Sequence, residues 1–217
     1  MKKIFGICLF SFVFFIGLKC YANNSYSDGV KQFLYLIENN QSAKASEYLS
    51  TRFTEQDWKS YQNLIEKNSE KVPSFYIITV ADYVYKTDKD KAVEYYYRGM
   101  LRAKEDVLMC VDTTARQQFN IWPRVAPKTV RYVSERVFKQ NDKAYLANAL
   151  QKALDWDKSH SKRYDPSWAC YHGINVFIEN GKPKLVSKKE QKEIIEKERT
   201  SVENAIRELK LENTKSK

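Results

Sequence analysis

Apolar residues recur at helical spacing along most of this chain. The clearest stripe runs from Asp88 to Cys110, where Ala92, Tyr96, Gly99, Ala103, Val107 and Cys110 follow at steps of four, three, four, four and three and so share one helix face. This helix is the one the rest of the chain is expected to pack around. Gly99 and Ala103 let a neighbouring backbone come close, which must offset the ~1 kcal/mol of helix propensity that a glycine forfeits relative to alanine. Arg98, Arg102 and Asp106 lie on the adjoining flank, four residues apart each time. They read either as a ladder of solvated charges or as an anion-binding flank carried by Arg98 and Arg102.

The same patterning predicts the other elements. Val30, Phe33, Leu34 and Ile37 give a helix from Asp28 to Glu38 with Asp28 as its cap, and Ala45, Tyr48 and Leu49 give a second, shorter one. Thr54 caps a third, with Asp57 completing a capping box and Trp58, Tyr61, Leu64 and Ile65 as its stripe. Residues 74–86 contain the β-branched run Ile77 to Val80, which suits a buried strand. Their length, lack of glycine and direct approach to Asp88 predict instead a helix that forms an antiparallel hairpin with the next.

Beyond Cys110, Asp112 or Thr113 caps a short helix ending near Asn120, and Pro123 and Pro127 bracket a tight connection. Val130, Val133 and Val137 mark a helix ending near Gln140. Asp142 caps another, Lys143 to Asp157, with Leu146, Ala149, Leu150, Ala153 and Trp156 as its core face. From Ser159 to Gly173 periodicity disappears, and Ile174 to Ile178 reads as a short strand or an extended tail of this loop. Ser187 and Glu190 form a capping box opening a last helix, whose thin stripe is Ile195, Val202, Ala205, Ile206 and Leu209. That helix leans on the body through its second half, or serves as a partner-binding or coiled-coil arm; Asn213 to Lys217 form a disordered tail. The expected fold is all-α: a single-domain helical bundle or short array of helical hairpins over residues 23–186, with one long irregular loop and room for one short strand. Residues 187–217 form the C-terminal amphipathic helix and its tail.

Ahead of the domain, Lys2 and Lys3, the apolar run Ile4 to Leu18 and the small-residue end Cys20-Tyr21-Ala22 predict a cleaved signal peptide over residues 1–22 and a periplasmic location. No membrane anchor is expected after cleavage. Removal takes away Lys2, Lys3 and Lys19 and no acid, so the formal charge falls from +10 to +7. The charges of both signs are interspersed and form no nucleic-acid footprint. Cys8 and Cys20 leave with the leader, so Cys110 and Cys170 remain as an even pair for one disulfide in an oxidising compartment. Two buried thiols that never meet are the competing reading.

Tyr83, Ala92, Tyr96 and Gly99 fall at the spacing of aromatic and small positions in tetratricopeptide and Sel1-like repeats, which residues 73–106 resemble. The resemblance implies a helical hairpin with a non-catalytic interaction surface.

Candidate chemistry is sparse. The histidines are His160 and His172, with no HExxH, paired CxxC, GxSxG or glycine-rich phosphate loop, so neither a metal nor a cofactor is expected. Cys170 beside His172 is the nearest approach to a catalytic pair, and a cysteine-dependent hydrolase is carried as an alternative. Arg163, Tyr164, Trp168, Tyr171 and His172 are residue types that dominate binding hot spots, and they crowd one loop. They form a protein-binding surface, or Trp168 and Tyr171 fold inward as a roof on the core. The function expected is non-catalytic protein binding in the periplasm, most concretely an immunity-type inhibitor that sequesters a toxic effector. An envelope assembly or scaffold factor is the alternative.

Overall fold

The computed structural model describes residues 26–178 and 182–215, so the predicted signal peptide lies outside the described residues. The fold is all-α. Helices α1 (Asp28–Glu38), α2 (Ser42–Thr51) and α3 (Glu55–Asn68) lead into a hairpin of α4 (Ser74–Val84) and α5 (Lys89–Leu108). After 3-10 turns at Thr113–Asn120 and Trp122–Val125 come α6 (Pro127–Ser134) and α7 (Lys143–Ser159), the short α8 (Ser167–Cys170) and α9 (Ile174–Ile178), and the long α10 (Lys188–Lys215).

Local capping explains most of the boundaries. Thr54 and Asp57 form the predicted reciprocal box on α3, and Ser187 and Glu190 form one on α10. Asp88 and Asp142 accept the Lys91 and Tyr145 backbone N–H groups at 2.9 and 3.0 Å. At α1 the cap is Ser27 and not Asp28: its hydroxyl accepts from the Val30 N–H, and Asp28 sits in the first turn, where a carboxylate favours the helix dipole.

The segment that could have been strand is α4, because its Ile77, Ile78, Val80 and Ala81 are buried against α5 and the surrounding helices on nearly every side. Gly99 is where the two helices touch. A Cβ there would lie 2.5 Å from Ile78 Cγ1 and 2.8 Å from the Ile78 backbone nitrogen. Phe33 anchors the main core, edge-on to Tyr61 and Tyr76 at centroid distances of 5.2 and 5.1 Å.

Several elements depart from expectation. The helix ending near Gln140 finishes as a π-turn, Glu135–Lys139. On α7 the deeply buried residues include Ala147 and Leu154, while Leu146 and Leu150 are half-buried, because the helix is packed between α5 and α10 and needs two apolar faces. Ile174 to Ile178 is helix α9 and not a strand; the one β-type pairing among the described residues is an isolated antiparallel bridge between Cys110 and Leu185. The expected disordered tail is corrected in part, since Asn213 to Lys215 continue α10. That helix docks on α7 and α5 through Val202, Ile206 and Leu209, which meet Leu101, Ala147 and Leu154.

Candidate protein-docking site

The site rests on a buried ionic cluster that α5 projects beneath the irregular segment. Asp157, fully buried on α7, is the hub. Its carboxylate accepts from Arg102 Nε at 2.9 Å, Arg163 Nη2 at 2.7 Å and Arg199 Nε at 2.9 Å, so α5, the segment after α7 and α10 converge on one group. Burial opposes ionisation of Asp157, but the guanidiniums of Arg163 and Arg102 outweigh it and hold the carboxyl below its ordinary range. Arg102 also donates to Ser69 Oγ at 3.1 Å and to the His160 carbonyl, and its guanidinium lies 4.3 Å from the centroid of the Trp156 ring. Arg163 reaches Glu105, whose carboxyl is pushed up to about 8, first by burial and then, against the pull of Arg163, by neighbouring Asp157 and Asp106.

This arrangement corrects the reading of the α5 flank. Arg98, Arg102 and Asp106 are buried and not a solvated ladder. Arg98 pairs with Glu66 at 2.8 Å and Glu94 at 3.5 Å, and Arg102 with Asp157, so the protein's own carboxylates occupy the anion-binding capacity expected of the two arginines. Asp106 accepts from the Ser74 hydroxyl and, at 2.9 Å, from Trp168 Nε1; burial raises its pKa against those two hydrogen bonds.

Cys110 and Cys170 are bonded, with an S–S distance of 2.11 Å and Cα atoms 5.4 Å apart, as their even count predicted. Cys170 Sγ is therefore not a free thiol beside His172. The disulfide, the Arg163 pairs and the Trp168 hydrogen bond pull one side of the loop inward. Trp168 is half-buried between Phe75 and Trp122, at centroid distances of 6.4 and 6.1 Å, and Tyr164 packs on the main core. Arg163, Tyr164 and Trp168 are thus partly buried against the core as its roof, the inward-folded reading of Trp168. Tyr171 is exposed, and His172, exposed as a whole, keeps its ring edge-on to Trp168 at a centroid distance of 6.5 Å.

The exposed side of the pinned loop continues into residues that sequence reasoning missed. Asp112 accepts from the Asn175 backbone N–H at 2.8 Å, and Thr114 Oγ1 from that of Ile174 at 2.8 Å, which seats the start of α9 on the turn after α5. Gly173 packs closely at this junction: a Cβ would come within 2.4 Å of Asp112 Oδ2, so the Asp112 side chain would have to shift. The Val111 N–H donates to the Lys184 carbonyl at 3.0 Å, and Val186 N–H to that of Met109 at 2.9 Å, fixing the opposite edge. The result is a knuckle bearing Val111, Tyr171, Ile174 and Ile178 at 54, 49, 51 and 75% exposure. Apolar residues in a stretch without periodicity were the available sign of it.

Among the described residues no group of His, Cys, Asp and Glu is placed to hold a metal ion, and no helix is long and apolar enough to cross a membrane. Comparison with protein-family models, with curated proteins and with solved structures found no match.

Proposed function

We propose that this is a non-catalytic binding protein of an oxidising, extracytoplasmic compartment, and that it docks a protein partner on the disulfide knuckle. The observation that carries the reading is a contrast around the disulfide: Arg163 and Trp168 are consumed internally by Glu105, Asp157 and Asp106, while Val111, Tyr171, Ile174 and Ile178 stay open. Preorganised apolar contact area is what a protein interface needs, because little ordering entropy remains to be lost on binding. The most concrete form is an immunity-type inhibitor that sequesters a toxic effector reaching the periplasm. The disulfide supports such a compartment, since disulfides persist where the surroundings are oxidising.

The test is to mix the purified protein with the product of a toxin gene encoded nearby and measure stoichiometry and affinity. A one-to-one complex is expected, weakened by Tyr171→Ala and by Ile178→Glu at unchanged thermal stability, and deletion of the gene should be harmless once the toxin gene is removed. A complex indifferent to both substitutions refutes the knuckle as the docking surface. A deletion that remains harmful without the toxin refutes the inhibitor reading in favour of an envelope assembly or scaffold role.

A further inference from the structure

A second surface, lined by none of the knuckle residues, runs along α5. Tyr96 and Tyr97 are shared by two adjoining cavities of about 190 and 200 Å³. The first continues over Met100 and Leu101 to Phe119, Leu150 and Val202, and ends at the Lys104–Glu198 ion pair (2.6 Å). The second passes between Val133, Val137 and Leu146 to Phe138. The two adjoin at Tyr96 and Tyr97 as an apolar crevice with α5 as floor and α6, α7 and α10 contributing to its walls. Phe138 stands at its lip at 82% exposure, presented by the π-turn Glu135–Lys139.

The segment that supplies Phe119, Val133 and Phe138 to the lining carries a marked charge bias. Between Thr113 and Lys143 the only acids are Glu135 and Asp142, and Arg136 takes up Asp142. Arg116, Arg124, Arg131 and Lys139 from the same stretch are exposed and have no ion-pair or hydrogen-bond partner among the described residues. Arg116 lies one 3-10 turn before Phe119, and Lys139 follows Phe138, so cations flank the apolar lining at both ends. In the loop and ionic cluster the arginines have carboxylates of their own; here Arg116, Arg124 and Arg131 have none among the described residues.

We propose that this crevice receives an acidic amphipathic helix of a partner protein, its apolar stripe against Tyr97, Met100 and Phe138 and its carboxylates on the unpaired cations. A crevice between helices takes a helix by i, i+3 or i+4 and i+7 anchors, and the exposed cations on the segments that border it select an acidic one. Few free polar groups line it, which disfavours a small polar ligand, and its concavity does not match a flat bilayer.

The probe is a labelled synthetic helix of about 18 residues, long enough to hold its structure in part, with leucines on one stripe and glutamates elsewhere. Two controls share its length: the same residues scrambled, and the same stripe with lysines replacing the glutamates. The full mature chain is expected to bind the acidic helix, with Phe138→Ala and the pair Arg131→Glu/Lys139→Glu each weakening it at least about tenfold. Added salt should weaken it further, and Tyr171→Ala should leave it unchanged. All of these side chains are exposed, so the variants report on binding and not on folding. Equal affinity for the scrambled or lysine-faced helix, or indifference to the groove substitutions, overturns the proposal. So does binding of anionic phosphatidylglycerol vesicles without binding of the peptide, or self-association that Phe138→Ala abolishes. Because Tyr171→Ala reports on the knuckle alone, failure here and failure of the knuckle are distinguishable.

Discussion

The Asp157 hub makes the sharpest test of how this fold is held. Replacing Asp157 with Asn removes one charge at nearly constant shape and leaves the Arg102, Arg163 and Arg199 guanidiniums converging on a neutral amide. Arg102 has a side chain only 4% exposed, and Arg163 and Arg199 are at 14 and 16%, so water cannot replace the lost carboxylate for the first and can do so only in part for the others. Removing one partner of a buried pair costs about 3–5 kcal/mol, because the remaining charge stays desolvated. A domain of this size has roughly 5–15 kcal/mol in all, so the variant should lose a large share of it, with a fall in Tm of roughly 10 °C. Urea denaturation of wild type and Asp157→Asn, read as a shift in midpoint at constant slope, measures the loss. Arg199 brings α10 to the hub, so hydrogen exchange along the inner face of α10 should accelerate in the variant. The pH profile has a defined sign. The Asp157 carboxyl is held below its ordinary value of 3.8, so its contribution is present above that value and is lost as pH falls through the lower folded-state value; the variant should show less acid destabilisation. A loss below about 1 kcal/mol, in the range of exposed ion pairs, would refute the view that this cluster ties three elements together.

Other measurements check separate links. Replacing both Cys110 and Cys170 with Ser opens a crosslink between residues 60 apart in sequence and should cost about 4 kcal/mol by the chain-entropy relation, seen as a lower denaturation midpoint that reduction of the wild type reproduces. Gly99→Ala should destabilise by about 1–3 kcal/mol, because its Cβ would meet the Ile78 backbone nitrogen as well as its side chain; an unchanged midpoint would show that α4 can move away. Glu105 has its carboxyl raised from 4.5 to about 8, so its contribution to stability is full below 4.5 and declines as pH rises towards 8. Glu105→Gln should flatten that decline, and identical pH profiles for the two proteins would place the proton elsewhere.

Much of the architecture was legible one helix at a time. Thr54 with Asp57, Ser187 with Glu190, and Asp142 before Lys143 mark helix starts because a cap bonds to backbone a few residues away, and the stripe through Gly99 and Ala103 marks a contact face because helical periodicity is local. The pairing of Cys110 with Cys170 followed from the even count left once the predicted signal peptide is set aside. What the tertiary structure decided was the fate of groups whose partners lie far along the chain. Arg102 looks like a surface residue until Asp157, 55 positions later, is brought against it, and Trp168 looks like a hot spot until Asp106 accepts its N–H. Charge and amphipathic side chains carry no sign of burial in themselves, since the same guanidinium is solvated or saturated according to what packs over it. The exposed knuckle of Val111, Tyr171, Ile174 and Ile178 has the same origin: these residues stay outside because the disulfide, the Asp112 contacts and the bridge to Leu185 leave their backbone no route inward.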